Sequence, residues 1–319
     1  MYIISPFDCY KALPDPALLK NKPQSGFFDI FCDAELWASG RSAMRSIFKE
    51  LKDLSVREIA LPSYICPSLP PFFAREFKVS QYGFDELENR VDFPSVKTGK
   101  GVAVLAVNFF GASERNKWEA LMEKNPETVF IEDHSFAPFS NWAKNSRADF
   151  SFASLRKLLP IPDGAYLRAK NRAPRAAARR PAASMPAFAA EILSAMALKT
   201  FEQNIAGSTD ASYRKKFLAG EKALFKNPPL ERISPYSFEI LRKLDIAQAL
   251  AENFKKSEDF FRRNPLKDVP VLKNLTPERP EDLLSPILAL PDLPALTAAR
   301  NLLISPHSRP VIYWSDIIK

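Results

Sequence analysis

A lysine with the surroundings for imine chemistry stands at position 157. It ends the run Ala148-Asp149-Phe150-Ser151-Phe152-Ala153-Ser154-Leu155-Arg156-Lys157 and is followed by a turn through Pro160, Pro162 and Gly164. A lysine in a loop after a strand can form an imine with an aldehyde cofactor if its neighbours depress its pKa. Ser154 and Ser151, three and six residues earlier, carry hydroxyls able to donate to a phosphate. Taken alone, Lys157 reads as an ordinary surface lysine.

Three further groups have matching chemistry. Glu132-Asp133 closes the apolar run Val129-Phe130-Ile131. A pyridine ring draws electrons well only when its nitrogen is protonated, which requires an ionised carboxylate beside it. Asp133 is placed to supply one; Glu132 points the opposite way along a strand and is the weaker candidate. A turn or cap role would also explain Asp133. Gly40-Arg41-Ser42-Ala43 opens a helix, whose amides and positive dipole end suit a phosphate. In Pro62-Ser63-Tyr64-Ile65-Cys66-Pro67, Tyr64 could stack on a planar ring or simply pack, and Cys66 reads as a small buried hydrophobe.

The elements that must position these residues alternate. The first 35 residues are loop-like, with Phe27–Cys32 as a candidate strand. Met44, Ile47, Phe48 and Leu51 form the apolar stripe of one helix after Ser39. Short strands are predicted at 59–61, 101–110, 129–131, 148–153 and 165–167, with a helix bearing Trp118 among them. This pattern predicts an α/β fold with a mainly parallel sheet covered by helices on both faces. Ligands in such sheets bind beyond the carboxyl ends of the strands, where loop 132–135 would project. From Ala182 the chain turns helical: Phe188, Ile192 and Met196 share one stripe, and Ile240, Leu241, Leu244 and Leu250 mark a second long helix. Val311–Trp314 is a last apolar stretch.

Bulk properties narrow the classes. The 319 residues carry a formal net charge of +8 and are 46% hydrophobic, as in an ordinary globular protein. No uncharged apolar run approaches the roughly 20 residues that span a bilayer, and Asp8 interrupts any signal-peptide core. No membrane association and a cytoplasmic location are therefore expected. Three cysteines and two histidines fit no metal template. The excess charge concentrates in Arg168–Arg180, which reads as a solvated linker. No nucleic-acid motif accompanies it, and no nucleic-acid partner is expected.

In order along the chain, a glycine-led helix, an aromatic loop, a strand-end Glu-Asp and a Ser-x-x-Lys with a glycine turn resemble fold-type I pyridoxal-phosphate (PLP) enzymes, and among them the DegT-type sugar aminotransferase family. The matching stretches are Ser39–Ala43, Leu61–Tyr64, Asn108–Gly111, Ile131–Asp133 and Ser151-Phe152 through Gly164, with fainter echoes at Tyr213-Arg214, Leu241–Asp245 and Arg300–Trp314. The resemblance implies a PLP-dependent transferase (aspartate aminotransferase-like) fold, with a large cofactor-binding α/β domain over residues 1–180. Residues 181–319 would form a helical connection and a smaller C-terminal α+β domain. It implies that Lys157 holds pyridoxal 5'-phosphate as a Schiff base and shuttles the proton, and that Asp133 pairs with the pyridinium nitrogen. Gly40, Arg41 and Ser42 would hold the phosphate, helped by Ser154 or Ser151, and Tyr64 would stack on the ring. The implied partners are a keto substrate, in this family a nucleotide-linked keto sugar, and glutamate as amino donor. The implied assembly is a homodimer with its active site at the subunit interface.

The chain also departs from that pattern. One residue more separates Ser151-Phe152 from the lysine, which leaves Ser151 and Ser154 both open. Phe136 stands where the family has His or Gln, Asp163 replaces a glutamate, and Ala165 replaces a second glycine. The whole chain has nine glycines. Phe136 and the low glycine count motivate one alternative, a degenerate fold kept for binding; a PLP enzyme of another reaction class, such as a dehydratase, is a further alternative because the same fold hosts those reactions.

Overall fold

The computed structural model describes residues 12–252 apart from 86–87, 112–113, 205–211 and 227–229, together with residue 255 and the segments 2–8, 273–274, 288–290 and 310–313. The chain opens with β1 (Tyr2–Asp8). Strands β2 (Glu35–Trp37), β3 (Glu58–Pro62) and β4 (Lys78–Tyr82) follow, then a small hairpin of β5 (Phe84–Asp85) and β6 (Arg90–Val91). Next come β7 (Val102–Val107), β8 (Val129–Asp133), β9 (Phe150–Ser154) and β10 (Ala165–Ala169). The main sheet has seven strands in the order β2-β10-β9-β8-β7-β3-β4. β10 pairs antiparallel with both β9 and β2, while β9, β8, β7, β3 and β4 are mutually parallel. β10 alone therefore runs against the rest.

Alternation along the strands separates two apolar layers. Ile131, Phe150, Phe152, Ala165 and Leu167 face one side. Helices α1 (Phe27–Ile30), α2 (Gly40–Ser46), α3 (Phe48–Asp53) and α4 (Leu69–Phe73) divide between the faces, with α2, α3 and α4 over this side. The opposite face carries Val104, Phe130 and Trp118 of α5 (Arg115–Lys124), with Trp142 of α6 (Asn141–Lys144). On the same face Leu36, Ala153 and Tyr166 pack with Phe27 and Phe31. Helices cover both faces, as the alternating pattern predicts. Among the described residues no helix is long and apolar enough to cross a membrane.

Two local readings need correction. The expected strand at Phe27–Cys32 is the helix α1. Gly26 caps it and Asp29 accepts from the Gly26 amide at 3.3 Å. Spacing of four residues then lets Phe27 and Phe31 both reach Tyr166, with Phe31 stacked on it at 4.6 Å. The Met44–Leu51 stripe is buried throughout, but the helix breaks at Ile47, which separates α2 from α3.

The second part of the chain begins with α7 (Ala187–Gln203) and α8 (Tyr213–Lys226). Phe188, Ile192 and Met196 form the predicted buried stripe and meet Tyr213, Phe217 and Leu224. Gly220 makes this approach possible: a Cβ there would lie 2.6 Å from Ile192 Cγ1 and 2.9 Å from the Phe188 carbonyl. Helix α9 (Pro235–Lys243) buries Ile240 and Leu241 but stops short of the predicted stripe. Leu244 turns extended and bridges Leu19 instead. β11 (Lys273–Asn274), β12 (Leu288–Leu290) and β13 (Pro310–Tyr313) form a second sheet in the order β11-β12-β1-β13. The loop-like reading of the first 35 residues missed β1, which pairs antiparallel with β12 and β13.

The basic segment is not a solvated linker along its length. Arg168 pairs with Asp33, and Arg172 and Arg175 converge on Glu35, which is 1% exposed. Burial alone would raise the Glu35 carboxyl, but hydrogen bonds from Arg175 and Arg172 outweigh it and bring its pKa down to about 2. Three of the five arginines are thus committed to carboxylates, and the segment clamps β2 against the chain that follows β10.

Candidate active site at the carboxyl end of the sheet

Parallel direction places the carboxyl ends of β2, β9, β8, β7 and β3 on one rim. Gly40 follows β2, Leu155–Lys157 follow β9, Ser135 and Phe136 follow β8, Asn108 and Phe109 follow β7, and Tyr64 follows β3. The residues singled out from the sequence lie on this rim except Ser151 and Glu132, which belong to the opposite face. The rim is where an open α/β sheet binds ligands.

Within the rim, Gly40 abuts β9: a Cβ on it would stand 3.5 Å from Phe152 and 3.6 Å from the Ser154 Cβ, ordinary contacts. The Ser154 amide donates to Ser135 Oγ at 2.9 Å, and the Ser135 amide donates to Asp133 Oδ1 at 2.8 Å. A continuous path therefore links Gly40, Ser154, Ser135 and Asp133 on the α2 face. Ser151 lies on the opposite face by strand alternation, beside Ala153 and opposite Glu132 in the register.

The start of α2 is capped from within. Ser39 Oγ accepts from the Ser42 amide at 3.1 Å and sits 2.9 Å from Ser42 Oγ. The amide and hydroxyl of Ser42 thus serve the helix end. Arg41 reaches away, and its Nη2 donates to Ser68 Oγ, which also lies 3.0 Å from Cys66 Sγ. Burial pulls the Arg41 guanidinium below its ordinary value, with the charges of Cys66, Arg156 and Glu221 also acting on it.

Lys157 ends a 3-10 turn, Leu155–Lys157, and is exposed. Its Nζ lies over the Phe136 ring, 5.5 Å from the centroid. Phe136 continues an aromatic cluster, 5.9 Å from Phe109, which is 5.7 Å from Tyr64. Tyr64 is 1% exposed and stacks on Phe84 at 5.8 Å. The structure thus places Phe136 against the lysine and Tyr64 deeper in the cluster. The turn that follows depends on Gly164, whose φ of +136° disfavours side chains. The buried Asp163 accepts from the Ser234 amide and from the hydroxyls of Ser234 and Ser237, tying this turn to α9. Burial still pushes its carboxyl up.

Directly behind Asp133, Glu132 is fully buried and engaged on both oxygens. Trp142 Nε1 donates to Oε1 at 2.9 Å, and His134 Nε2 lies 3.0 Å from Oε2. Asn108 Nδ2 lies 3.2 Å from His134 Nδ1 and donates to Ser140 Oγ at 3.1 Å. These contacts are all met with a neutral imidazole that donates from Nε2 and accepts at Nδ1. His134 is therefore an interior residue and does not face the rim.

Sequence reading missed Ser135, Arg156 and Glu221, and noted Phe136 only as a departure from the family pattern. The Asp133-x-Ser135 spacing is itself a turn signal that could have drawn in Ser135. Arg156, next to Lys157, pairs through both Nη atoms with Glu221 of α8. No local signal could connect residues 65 apart. His307 and residues 300–309 of the expected C-terminal echo lie outside the described residues.

No family model matches the chain, and no curated protein does. Similar solved structures include an aminotransferase from Psychrobacter cryohalolentis, 14% identical over 46% of this chain, with a TM-score of 0.37. The match spans 40% of that protein's length. A proposed sugar aminotransferase from Streptococcus pneumoniae, in its apo form, is 10% identical over 81% of this chain and 70% of its own, with a TM-score of 0.46. A DegT DnrJ EryC1 StrS aminotransferase from Brucella abortus is 13% identical over 79% of this chain and 63% of its own, with a TM-score of 0.41.

Proposed function

We propose that the chain is a pyridoxal 5'-phosphate-dependent aminotransferase that aminates a keto substrate. The observation that carries this reading is the rim itself: Gly40, Ser154 and Asp133 share one face of the sheet, and Lys157 stands beside Phe136 at the same end. The residues fit the cofactor. The one described hydrogen bond to the Asp133 carboxylate comes from Ser135, so the group keeps capacity to accept from a pyridinium. The protein's own packing leaves room for a Cβ at Gly40, so that glycine is better explained by the approach of a ligand. Lys157 Nζ has, among the described residues, the Phe136 ring as its contact.

Pyridoxal phosphate, when bound, supplies an aldehyde for the amine and a pyridinium ring that draws electrons from the substrate carbon. Asp133 would hold the ring nitrogen protonated, the backbone at Gly40 and Arg41 together with Ser154 would hold the phosphate, and Lys157 would carry the proton on Nζ. Phe136 is the aromatic ring placed to meet a flat ligand beside the lysine. The finer reading, a nucleotide-linked keto sugar with glutamate as donor in a cytoplasmic homodimer, rests on the motif resemblance. Exposure of Lys157 in the single chain agrees with a site completed by a second subunit. We assign the cofactor to residues 1–180 and the connection and small domain to 181–319, with β1 joining the second part through its sheet.

Phe136 favours one second reading, a degenerate fold kept for binding, because it puts an apolar ring where the resembling family has a polar residue. Glutamate addition separates the two. An aminotransferase loaded with pyridoxal phosphate converts it to the pyridoxamine form, read by absorbance. A binding protein leaves the spectrum unchanged, and that result would remove the aminotransferase reading.

A further inference from the structure

Ser135 carries a hydroxyl proton that the fold leaves unused. The residue follows β8 at the rim and is 3% exposed. Its amide donates to Asp133 Oδ1 at 2.8 Å, and its Oγ accepts from the Ser154 amide at 2.9 Å. These two bonds fix the oxygen in place, and neither takes the hydroxyl proton, for which no described residue supplies an acceptor. A serine hydroxyl has one proton to donate besides the lone pairs that accept, and a buried donor left without an acceptor costs free energy. Ser234 shows the saturated case in this chain: its Oγ accepts from the Ser237 amide at 3.2 Å and donates to Asp163 Oδ1 at 2.6 Å. The surroundings of Ser135 are those of a ligand. Phe136, the next residue, carries Lys157 Nζ 5.5 Å from its ring centroid. On the other side, Gly40 approaches Ser154 with room for a Cβ to spare.

We propose that Ser135 is a further cofactor-binding residue, whose hydroxyl donates to an anionic oxygen of pyridoxal phosphate, on the phosphate or on the ring. The inference rests on the cofactor reading proposed above. The two protein bonds to Ser135 supply rigidity: its oxygen is placed before any ligand arrives, so binding has little left to order there.

The test is absorbance titration of the full chain with three probes. They are pyridoxal phosphate, pyridoxal, which lacks the phosphate, and the methyl ether of pyridoxal phosphate, whose ring oxygen cannot ionise. Ser135→Ala is expected to weaken pyridoxal phosphate binding about tenfold, the scale of one hydrogen bond to a charged group, and to leave one of the other two probes unaffected. The probe that escapes the loss names the oxygen by lacking it. Should Ser135→Ala fail to fold, Ser135→Cys takes its place, because a thiol is a weak donor, and the same pattern is expected. An equal loss for all three probes would assign Ser135 to structure alone. Affinities unchanged by Ser135→Ala would mean that a water takes the proton. Either result overturns the proposal while the cofactor reading stands. A wild-type chain that binds none of the probes would sink both.

Discussion

Glu132 and Asp133 are neighbours in one strand, yet the two carboxylates meet opposite conditions. Strand alternation sends Glu132 into the far layer, where Trp142 and His134 engage both its oxygens and Asn108 and Ser140 complete the network. Asp133 turns to the α2 face, where its one described hydrogen bond comes from a backbone amide. A buried carboxylate saturated by protein donors belongs to the fold, since any missing partner would cost free energy. A carboxylate held by one amide at a sheet rim keeps capacity for something else. Ser151 and Ser154 likewise lie on opposite faces of β9.

The sharpest way to break this comparison is to exchange the two carboxylates' roles. Asp133→Asn is expected to leave the unfolding midpoint in urea nearly unchanged and to lower turnover by about 10³-fold, the scale of lost proton control at a reacting centre. Glu132→Ala is expected to do the reverse at the level of stability, costing about 3 kcal/mol in urea denaturation by leaving His134 and Trp142 donors buried without partners. Equal stability losses for the two variants would erase the distinction.

Glu35 extends the contrast to pH. Its folded pKa of about 2 lies below the ordinary 4.5, so its contribution is complete above pH 4.5 and is lost as pH falls toward 2. That loss is expected to amount to roughly 2 to 3 kcal/mol, measured as chemical stability between pH 5 and 2. In Glu35→Gln this part of the acid dependence should vanish; an unchanged profile would show that the Arg172 and Arg175 clamp contributes nothing. The smallest expected effect separates the serines. Ser154→Ala should weaken cofactor binding by about tenfold, the scale of one hydrogen bond to a charged group, and Ser151→Ala should leave it unaltered. A response from Ser151 instead would move the phosphate to the other face.

Much of this organisation was legible in the sequence because it is local. Period-two alternation told Glu132 from Asp133, and the apolar runs marked β7, β8, β9 and β10. The Met44–Leu51 stripe correctly named buried positions but missed the break at Ile47. Phe27–Cys32 misled because a short apolar run has no clear period, and its packing on Tyr166 settles it as a helix. Strand β1 was invisible because its partners lie near the other end of the chain. The Arg156–Glu221 pair and the Arg172 and Arg175 clamp on Glu35 were hidden for the same reason: ion pairs between distant residues leave no periodic trace.

The central claim is that this rim holds pyridoxal phosphate through Lys157. Borohydride reduction of the chain loaded with pyridoxal phosphate, followed by peptide mapping, tests it most directly. The account predicts a visible band that reduction abolishes and a pyridoxyl group on the peptide containing Lys157. A label scattered over surface lysines, or no reducible band at all, would contradict it.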